Sequence, residues 1–486
     1  MGTYQTLDRT SSSYSEPEEA ARPVGPSPAP VFGWGIQNLR FWRDPVGYLS
    51  ATYKDYGLIS SMGVRPPLCV FSFSPESNKR LSEETDTFHW VRNRQPSASK
   101  SLAEGSSLLN AARYNIFTTW GEEYKTRVLL VRPAFHHSWV DRWRDTMVAM
   151  TEQALTSWQP GEVKDVHEAL NRLVHSIAMK IVLGLEDARR VELLYALEKA
   201  YPRETFATTL FPFDLPGMRF RRLIRATTRI LGTLRDIVAE KQKLGGEPTD
   251  MLGVWMSSRT EQGVVLNELE LVAEAYNLMH HSTTMSTLIW TLILILQHPN
   301  VYASLVDELT SVLGGEAPTV GDMERLPLLD HVIKESFRLL PPASFGHRFT
   351  TEACPFGPYE LPKGAKIIFS SYITHRLPEI YSAPQSFRPE RWESFRPNMY
   401  EYFPFGSRVR HCFGSMFATM EIKIVLAILL QRFRLQIIPG QRIDRKFRRL
   451  TLLRPKGAVR MKVMPPDRKF RASAITGNLL EMVNLA

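Results

Sequence analysis

Between Asn267 and Pro299 the chain runs for roughly 30 residues without a proline or a glycine, and Asn267 and Glu270 have the spacing of a capping box at its start. At 1.5 Å per residue such a stretch makes a rod of about 45 Å, long enough to run through the body of a domain. The fold must be arranged around it. Its most apolar part, Leu288 to Leu296, carries Thr291 and is about half as long as a bilayer crossing requires, so it reads as buried helix. Pro299 opens a second helix with Val301, Leu305, Val306, Leu309 and Leu313 on one face, and Gly314-Gly315 ends it. A third helix around Leu328 to Leu340 is stopped by Pro341 and Pro342. Pro67 to Phe73 and Lys366 to Ser370 read as short strands. The expected class is therefore mainly α with small β-sheets.

With 43% apolar and 23% charged residues among 486, neither a disordered chain nor a stapled mini-protein fits. No internal repeat or long linker divides the chain. We expect a flexible Pro/Ser-rich leader over 1–30, a single domain over 31–471 and a tail over 472–486. Three scattered cysteines, Cys69, Cys354 and Cys412, make neither a disulfide framework nor a zinc ribbon, which points to a reducing compartment. Met1 to Arg22 contains no apolar run of the kind found in a signal peptide or an anchor, so the expectation is a soluble, cytoplasmic protein. The net charge of +10 suits nucleic acid, an anionic membrane or an acidic protein. Hydrophobic residues interrupt the basic stretch Arg442 to Arg460, so a solvated strand face is expected there and no nucleic-acid partner.

Chemistry enters at Phe403-Pro404-Phe405-Gly406-Ser407-Arg408-Val409-Arg410-His411-Cys412-Phe413-Gly414, where a turn delivers a cysteine to the start of a helix. Free N–H groups, the helix dipole and the nearby arginines would favour a thiolate, a soft metal ligand. Taken alone, Cys412 reads first as a small buried hydrophobe, as most free cysteines do. Upstream, Glu335 and Arg338 of Glu335-Ser336-Phe337-Arg338 share a helix face, and Phe387-Arg388-Pro389-Glu390-Arg391-Trp392 follows.

In this order and spacing the three segments resemble the cytochrome P-450 family, the haem-thiolate monooxygenases. Further matches run from Phe41-Trp42-Arg43-Asp44-Pro45 to Leu453-Arg454-Pro455-Lys456-Gly457. The resemblance implies the family's fold, with a long central helix over a haem b held by a C-terminal cysteine loop. It implies Cys412 as the axial iron ligand, a thiolate that pushes electron density onto the metal, with Phe405 and Arg410 in the cofactor loop. It makes Glu335, Arg338 and Arg391 a structural charge cluster. As propionate partners it offers Arg410 first, then Arg348, and then Tyr124 and Arg127, near the positions where the family commonly has Trp and Arg four residues apart.

Two departures stand out. Arg408 occupies a place where the family usually has glycine, in a tight loop whose backbone angles arginine tolerates poorly. In the long helix, Met279-His280-His281-Ser282-Thr283-Thr284 aligns with the oxygen-activation segment. Thr283 keeps the hydroxyl, Ser282 replaces the acid and His280 replaces a glycine. A serine passes a proton through water but does not supply one at neutral pH, whereas an imidazole does. His280 reads as a substitute proton donor, as an iron ligand in a resting state, or as a packing residue; a fourth reading has weakened dioxygen activation.

No dinucleotide fingerprint or P-loop occurs, so electrons are expected from a separate ferredoxin, flavodoxin or flavin reductase. Lys125, Arg127, Arg132, Arg408, Arg410, His411 and Lys423 are expected to make an electropositive dock on the cysteine side. Phe211 to Phe220, beside Arg219, Arg221, Arg222 and Arg225, is a candidate for peripheral membrane contact or for the entrance of a lipophilic substrate. The expected reaction inserts one oxygen atom from dioxygen into an isoprenoid-, steroid- or fatty-acid-like molecule or a secondary metabolite. The alternatives are rearrangement, dehydration or peroxide-driven oxidation on the same haem, and a non-catalytic haem sensor.

Overall fold

The computed structural model describes residues 23–28, 33–62, 68–90, 114–200, 217–279, 282–448 and 451–485. The helices that frame the site are α1 (Pro45–Tyr56), α2 (Gly121–Val131), α3 (Val140–Leu155), α4 (Val166–Leu183), α5 (Arg219–Leu244), α6 (Glu268–Leu278), α7 (Ser282–Gln297), α8 (Pro299–Leu313), α9 (Pro327–Leu339) and α10 (Ser415–Arg432). The expected capping box is formed: Asn267 accepts the Glu270 N–H at 3.0 Å and Glu270 accepts the Asn267 N–H at 2.9 Å. The single rod expected from there to Gln297 is described as two helices, since α6 ends at its C-cap Met279 and α7 begins at Ser282. His280 and His281, between them, lie outside the described residues.

From Leu288 on, α7 is enclosed by protein: α4, α9 and α10 pack against the helix, and Leu288 to Ile295 are fully buried. The Trp290 indole N–H, the polar edge of a fully buried ring, reaches the Leu453 carbonyl at 3.3 Å. α8 starts at Pro299 as expected, and its C-cap Gly314 takes the left-handed φ of 58° that ends a helix cheaply. Among the described residues no single helix is long and apolar enough to cross a membrane.

Among the described residues twelve strands make four small sheets: β1 (Ile59–Met62), β2 (Cys69–Ser72), β3 (Phe88–His89), β4 (Val163–Asp165), β5 (Gly346–Thr350), β6 (Cys354–Phe356), β7 (Tyr359–Leu361), β8 (Lys366–Phe369), β9 (Arg434–Ile437), β10 (Arg445–Arg448), β11 (Leu452–Pro455) and β12 (Arg460–Met464). The largest has the order β1-β2-β8-β5-β3. The two strands expected from sequence, near 67–73 and 366–370, are parallel neighbours in it, Cys69 opposite Lys366.

The described part of the expected leader and the tail both make contacts with the domain. Residues 23–28, placed in the leader, lie along β1: the Val24 carbonyl accepts the Ser61 N–H at 3.0 Å and the Ser27 carbonyl accepts from Gln37 at 3.0 Å. In the tail Leu479, Met482 and Val483 are buried, the Thr476 carbonyl accepts the Ile443 N–H at 2.7 Å, and the Asn484 N–H reaches Gln385 at 2.9 Å. Arg445 ties the tail to α1, bonding Glu481 at 2.9 Å and the helix-capping Asp44 at 2.5 Å.

Candidate active site

The cysteine loop is closed by its own backbone. The Cys412 N–H donates to the Phe405 carbonyl at 2.9 Å, and the Gly406 N–H to Phe403 at 3.0 Å. Gly406 has φ 73°, and a Cβ there would lie 3.2 Å from the Arg410 carbonyl, so glycine is needed on both counts. A Cβ on Gly414 would lie 3.9 Å from the Cys412 sulfur, in ordinary van der Waals contact. Phe405 stands edge-on to Phe337 of α9 at 4.9 Å, which fixes the loop to the helix bearing Glu335. Without a metal, burial pushes the Cys412 thiol up, and a bond from the Gly414 backbone opposes this only in part.

Arg408 has φ 51°, the left-handed conformation anticipated for this place. Its guanidinium bonds the Tyr400 hydroxyl at 2.9 Å and Glu83 at 3.2 Å, so loop and α-helical flank are tied together at the cost of backbone strain.

Behind the loop, Glu335 receives five hydrogen bonds: two from Arg338 (2.8 and 2.9 Å) and one each from Arg391, the Trp392 indole and the Arg388 N–H (3.0 Å each). The rest of the Arg338 guanidinium is used by the carbonyls of His375, Pro384 and Ser386 at 2.7 to 3.1 Å. Burial would push the Glu335 carboxyl up; Arg338, Arg391 and the Arg388 N–H outweigh it and hold it below its ordinary value. His375, a residue given no role from sequence, completes the link: its carbonyl binds Arg338 and its Nε2 accepts the Phe403 N–H at 3.0 Å. Burial first, then Arg338 and Arg376, keep this imidazole neutral, as an acceptor must be.

Arg348 and Arg410 are neighbouring cations that form no ion pair among the described residues. Arg348 is 6% exposed, lies over the Trp90 and Phe369 rings at 4.6 and 5.1 Å, and donates to its neighbour's His347 carbonyl. Burial, then the Arg410 charge, pull it down to about 9. Arg410 stacks on Tyr124 at 3.7 Å and donates to the carbonyls of Ile116 (3.2 Å) and Thr119 (2.5 Å). Two adjacent cations without an acid fit a group that brings its own pair of carboxylates. The two further candidates are directed elsewhere: the Tyr124 hydroxyl donates to the Val409 carbonyl at 2.6 Å, and Arg127 pairs with Glu270 at 2.5 Å, leaving its Nη1 buried without a partner.

On the other side Thr283 is exposed at the first turn of α7, Ser282 is half-buried, and the Thr283 carbonyl accepts the Thr287 hydroxyl at 3.1 Å. Among the buried acids and bases that the sequence reading passed over are His375, Glu274 on α6 and Glu421 on α10. For the two glutamates the visible signal is an acid inside an apolar helical run, Leu271 to Ala275 and Met420 to Leu430.

Comparison with known proteins agrees with this arrangement. A sequence model of the family described as Cytochrome P450 matches residues 23–463. Cyclooctat-9-en-7-ol 5-monooxygenase of Streptomyces melanosporofaciens is 26% identical over 88% of this chain and 92% of its own length. Cyclooctatin synthase of the same organism is 30% identical over 68% and 74%. The solved cyanobacterial CYP120A1, with retinoic acid bound, superposes with a TM-score of 0.79 at 23% identity, over 92% of this chain and all of that one. The chain belongs to the cytochrome P450 family. It is a haem-thiolate oxidoreductase of the monooxygenase type, and its cofactor is haem b.

Proposed function

We propose that the protein inserts one oxygen atom from dioxygen into a lipophilic small molecule, isoprenoid-like or a related secondary metabolite, with electrons from a separate donor. The observation that carries this reading is the cysteine loop, anchored through Phe405 and His375 to the Glu335–Arg338–Arg391 charge layer and flanked by two arginines that form no ion pair among the described residues. Two relatives named for cyclooctatin chemistry support the substrate class.

Haem, when bound, supplies the dioxygen-activating chemistry. The chain's own residues divide the remaining tasks. Cys412 would present its sulfur to the metal, and Arg410 and Arg348 would hold the propionates by charge-assisted bonds. The Thr283 hydroxyl, with Ser282 beside it, would relay protons, and neither residue supplies one at neutral pH. His280, the proposed source, lies outside the described residues, as do Phe211, Phe213, Leu215 and Pro216 of the proposed entrance. Of the rest of that entrance, Met218 is exposed and Phe220 is buried. Docking of the donor on the cysteine side would use a smaller positive field than the sequence suggests, since Lys125, Arg127, Arg408 and Lys423 are paired with Glu122, Glu270, Glu83 and Asp330.

Single-turnover product analysis in labelled dioxygen tests the reaction: one labelled oxygen atom is expected in the product, and its absence removes the monooxygenase reading. Cys412→Ala is expected to abolish the thiolate-type carbonyl spectrum while the fold persists. Retention of that spectrum would reject the ligand assignment.

A further inference from the structure

Glu274 lies on α6, 1% exposed, and forms no ion pair among the described residues. Its Oε1 accepts the N–H of Ile116 at 2.7 Å. Ile116 is itself 3% exposed, and its carbonyl accepts Arg410 Nη1 at 3.2 Å; three residues on, the Thr119 carbonyl accepts Arg410 Nη2 at 2.5 Å. Between these points the segment is braced internally, with the Phe117 N–H on the Asn115 side chain at 2.8 Å and the Thr119 hydroxyl on the Ile116 carbonyl at 3.1 Å. One short piece of backbone is therefore held at its N–H by α6 and offers its carbonyls to the arginine two residues before the cysteine.

We propose that Glu274 is a positioning residue for the haem site: by holding the Ile116 amide it fixes the two carbonyls that aim the Arg410 guanidinium at a haem propionate. This rests on the reading of Arg410 as a propionate-binding group. A carboxyl this deeply buried is worth keeping only if its acceptor is used, because leaving a buried N–H unpaired costs as much as losing a hydrogen bond outright. Two acceptors on rigid backbone restrict a guanidinium to one plane, and a fixed fork binds a carboxylate better than a mobile one. Burial, opposed by Arg127 and the Ile116 N–H, pushes Glu274 up to about 8, so at neutral pH glutamine is a close mimic of its acceptor.

The test compares Glu274→Gln, Glu274→Leu and Ile116→Pro with the wild type, as purified holoprotein and as apoprotein. Three quantities are measured: transfer of hemin to excess apomyoglobin, amide exchange over residues 114–120, and the melting temperature. Glu274→Leu, which removes the acceptor, and Ile116→Pro, which removes the donor without touching α6, are both expected to speed hemin loss roughly tenfold. Exchange of the 114–120 amides should rise in both apoproteins, and Glu274→Gln should stay near the wild type in every readout. Should Glu274→Leu not fold, Ile116→Pro carries the same expectation. Wild-type hemin loss in whichever of these variants folds overturns the proposal, and so does a glutamine variant as impaired as the leucine one. Wild-type protein that holds no hemin sinks the haem-site reading, and this proposal with it. Wild-type retention combined with indifference to the substitutions sinks the proposal alone.

Discussion

Glu335 and Glu421 are both fully buried in the frame that carries the cysteine loop, yet they sit in opposite surroundings. Glu335 receives five hydrogen bonds and faces Arg338 and Arg391. Neither oxygen of Glu421, one helix away and nine residues past Cys412, has a hydrogen-bond partner among the described residues. Burial raises both; the arginines reverse this for Glu335, and nothing reverses it for Glu421, which is pushed up to about 8. Depth alone therefore does not decide the charge of a buried acid. The first is a carboxylate in a salt-bridge layer, and the second is a neutral acid through the acidic and neutral range.

The largest effect should come from breaking the paired site on one side. Arg338→Leu leaves Glu335 buried with only Arg391 and two N–H donors, and removing one member of a buried pair typically costs about 3 to 5 kcal/mol. We expect a large drop in melting temperature and loss of haem uptake on expression, read by absorbance per protein. A variant with wild-type melting and haem content would mean that the layer is dispensable.

Much of this layer was legible because its signals are local. Glu335 and Arg338 are a helical three-residue pair, and Arg391 and Trp392 belong to one recognisable run. What closes the layer was not legible, because it is made by contacts remote in sequence: the His375 and Pro384 carbonyls on Arg338, and the Phe403 N–H on His375. The same distinction holds elsewhere. Freedom from proline and glycine marked the stretch that holds α6 and α7, and an apolar face marked α8. An acid such as Glu274 shows only as an exception to the periodicity, since its partner is the backbone of Ile116, 158 residues away. The tail's Leu479, Met482 and Val483 have helical spacing, whereas its anchors Arg445 and Gln385 are visible only in three dimensions.

The unpaired site makes a subtler prediction, in pH. A carboxyl has an ordinary pKa near 4.5, so the unfolded chain loses this proton early in a rise of pH while folded Glu421 keeps it to about 8. The folded state then binds more protons, and its stability from this group falls as pH rises between those values, by at most about 1.4 kcal/mol per unit. Glu335 has the opposite sign: its folded value is lowered, so its contribution is present above the ordinary carboxyl value and is lost on acidification. Glu421→Gln should therefore gain on the wild type between pH 5 and pH 8, with the gap in melting temperature widening steadily. A gap that stays constant with pH would show that Glu421 finds a cation after all.

The smallest effect tests whether backbone strain follows the same rule of compensation. Arg408 holds a left-handed φ that glycine adopts freely, and it is kept there by Tyr400 and Glu83. Arg408→Gly relieves the strain and removes an exposed pair that salt screens and that contributes little. The two changes oppose each other, so the melting temperature should rise by no more than roughly 1 to 2 °C, with the rise larger at high salt where the pair is already weak. A fall of several degrees, reversed by salt, would instead make Arg408 a working tie between the cysteine loop and the helix carrying Glu83. The compensation seen at Glu335 would then extend to the surface of the loop.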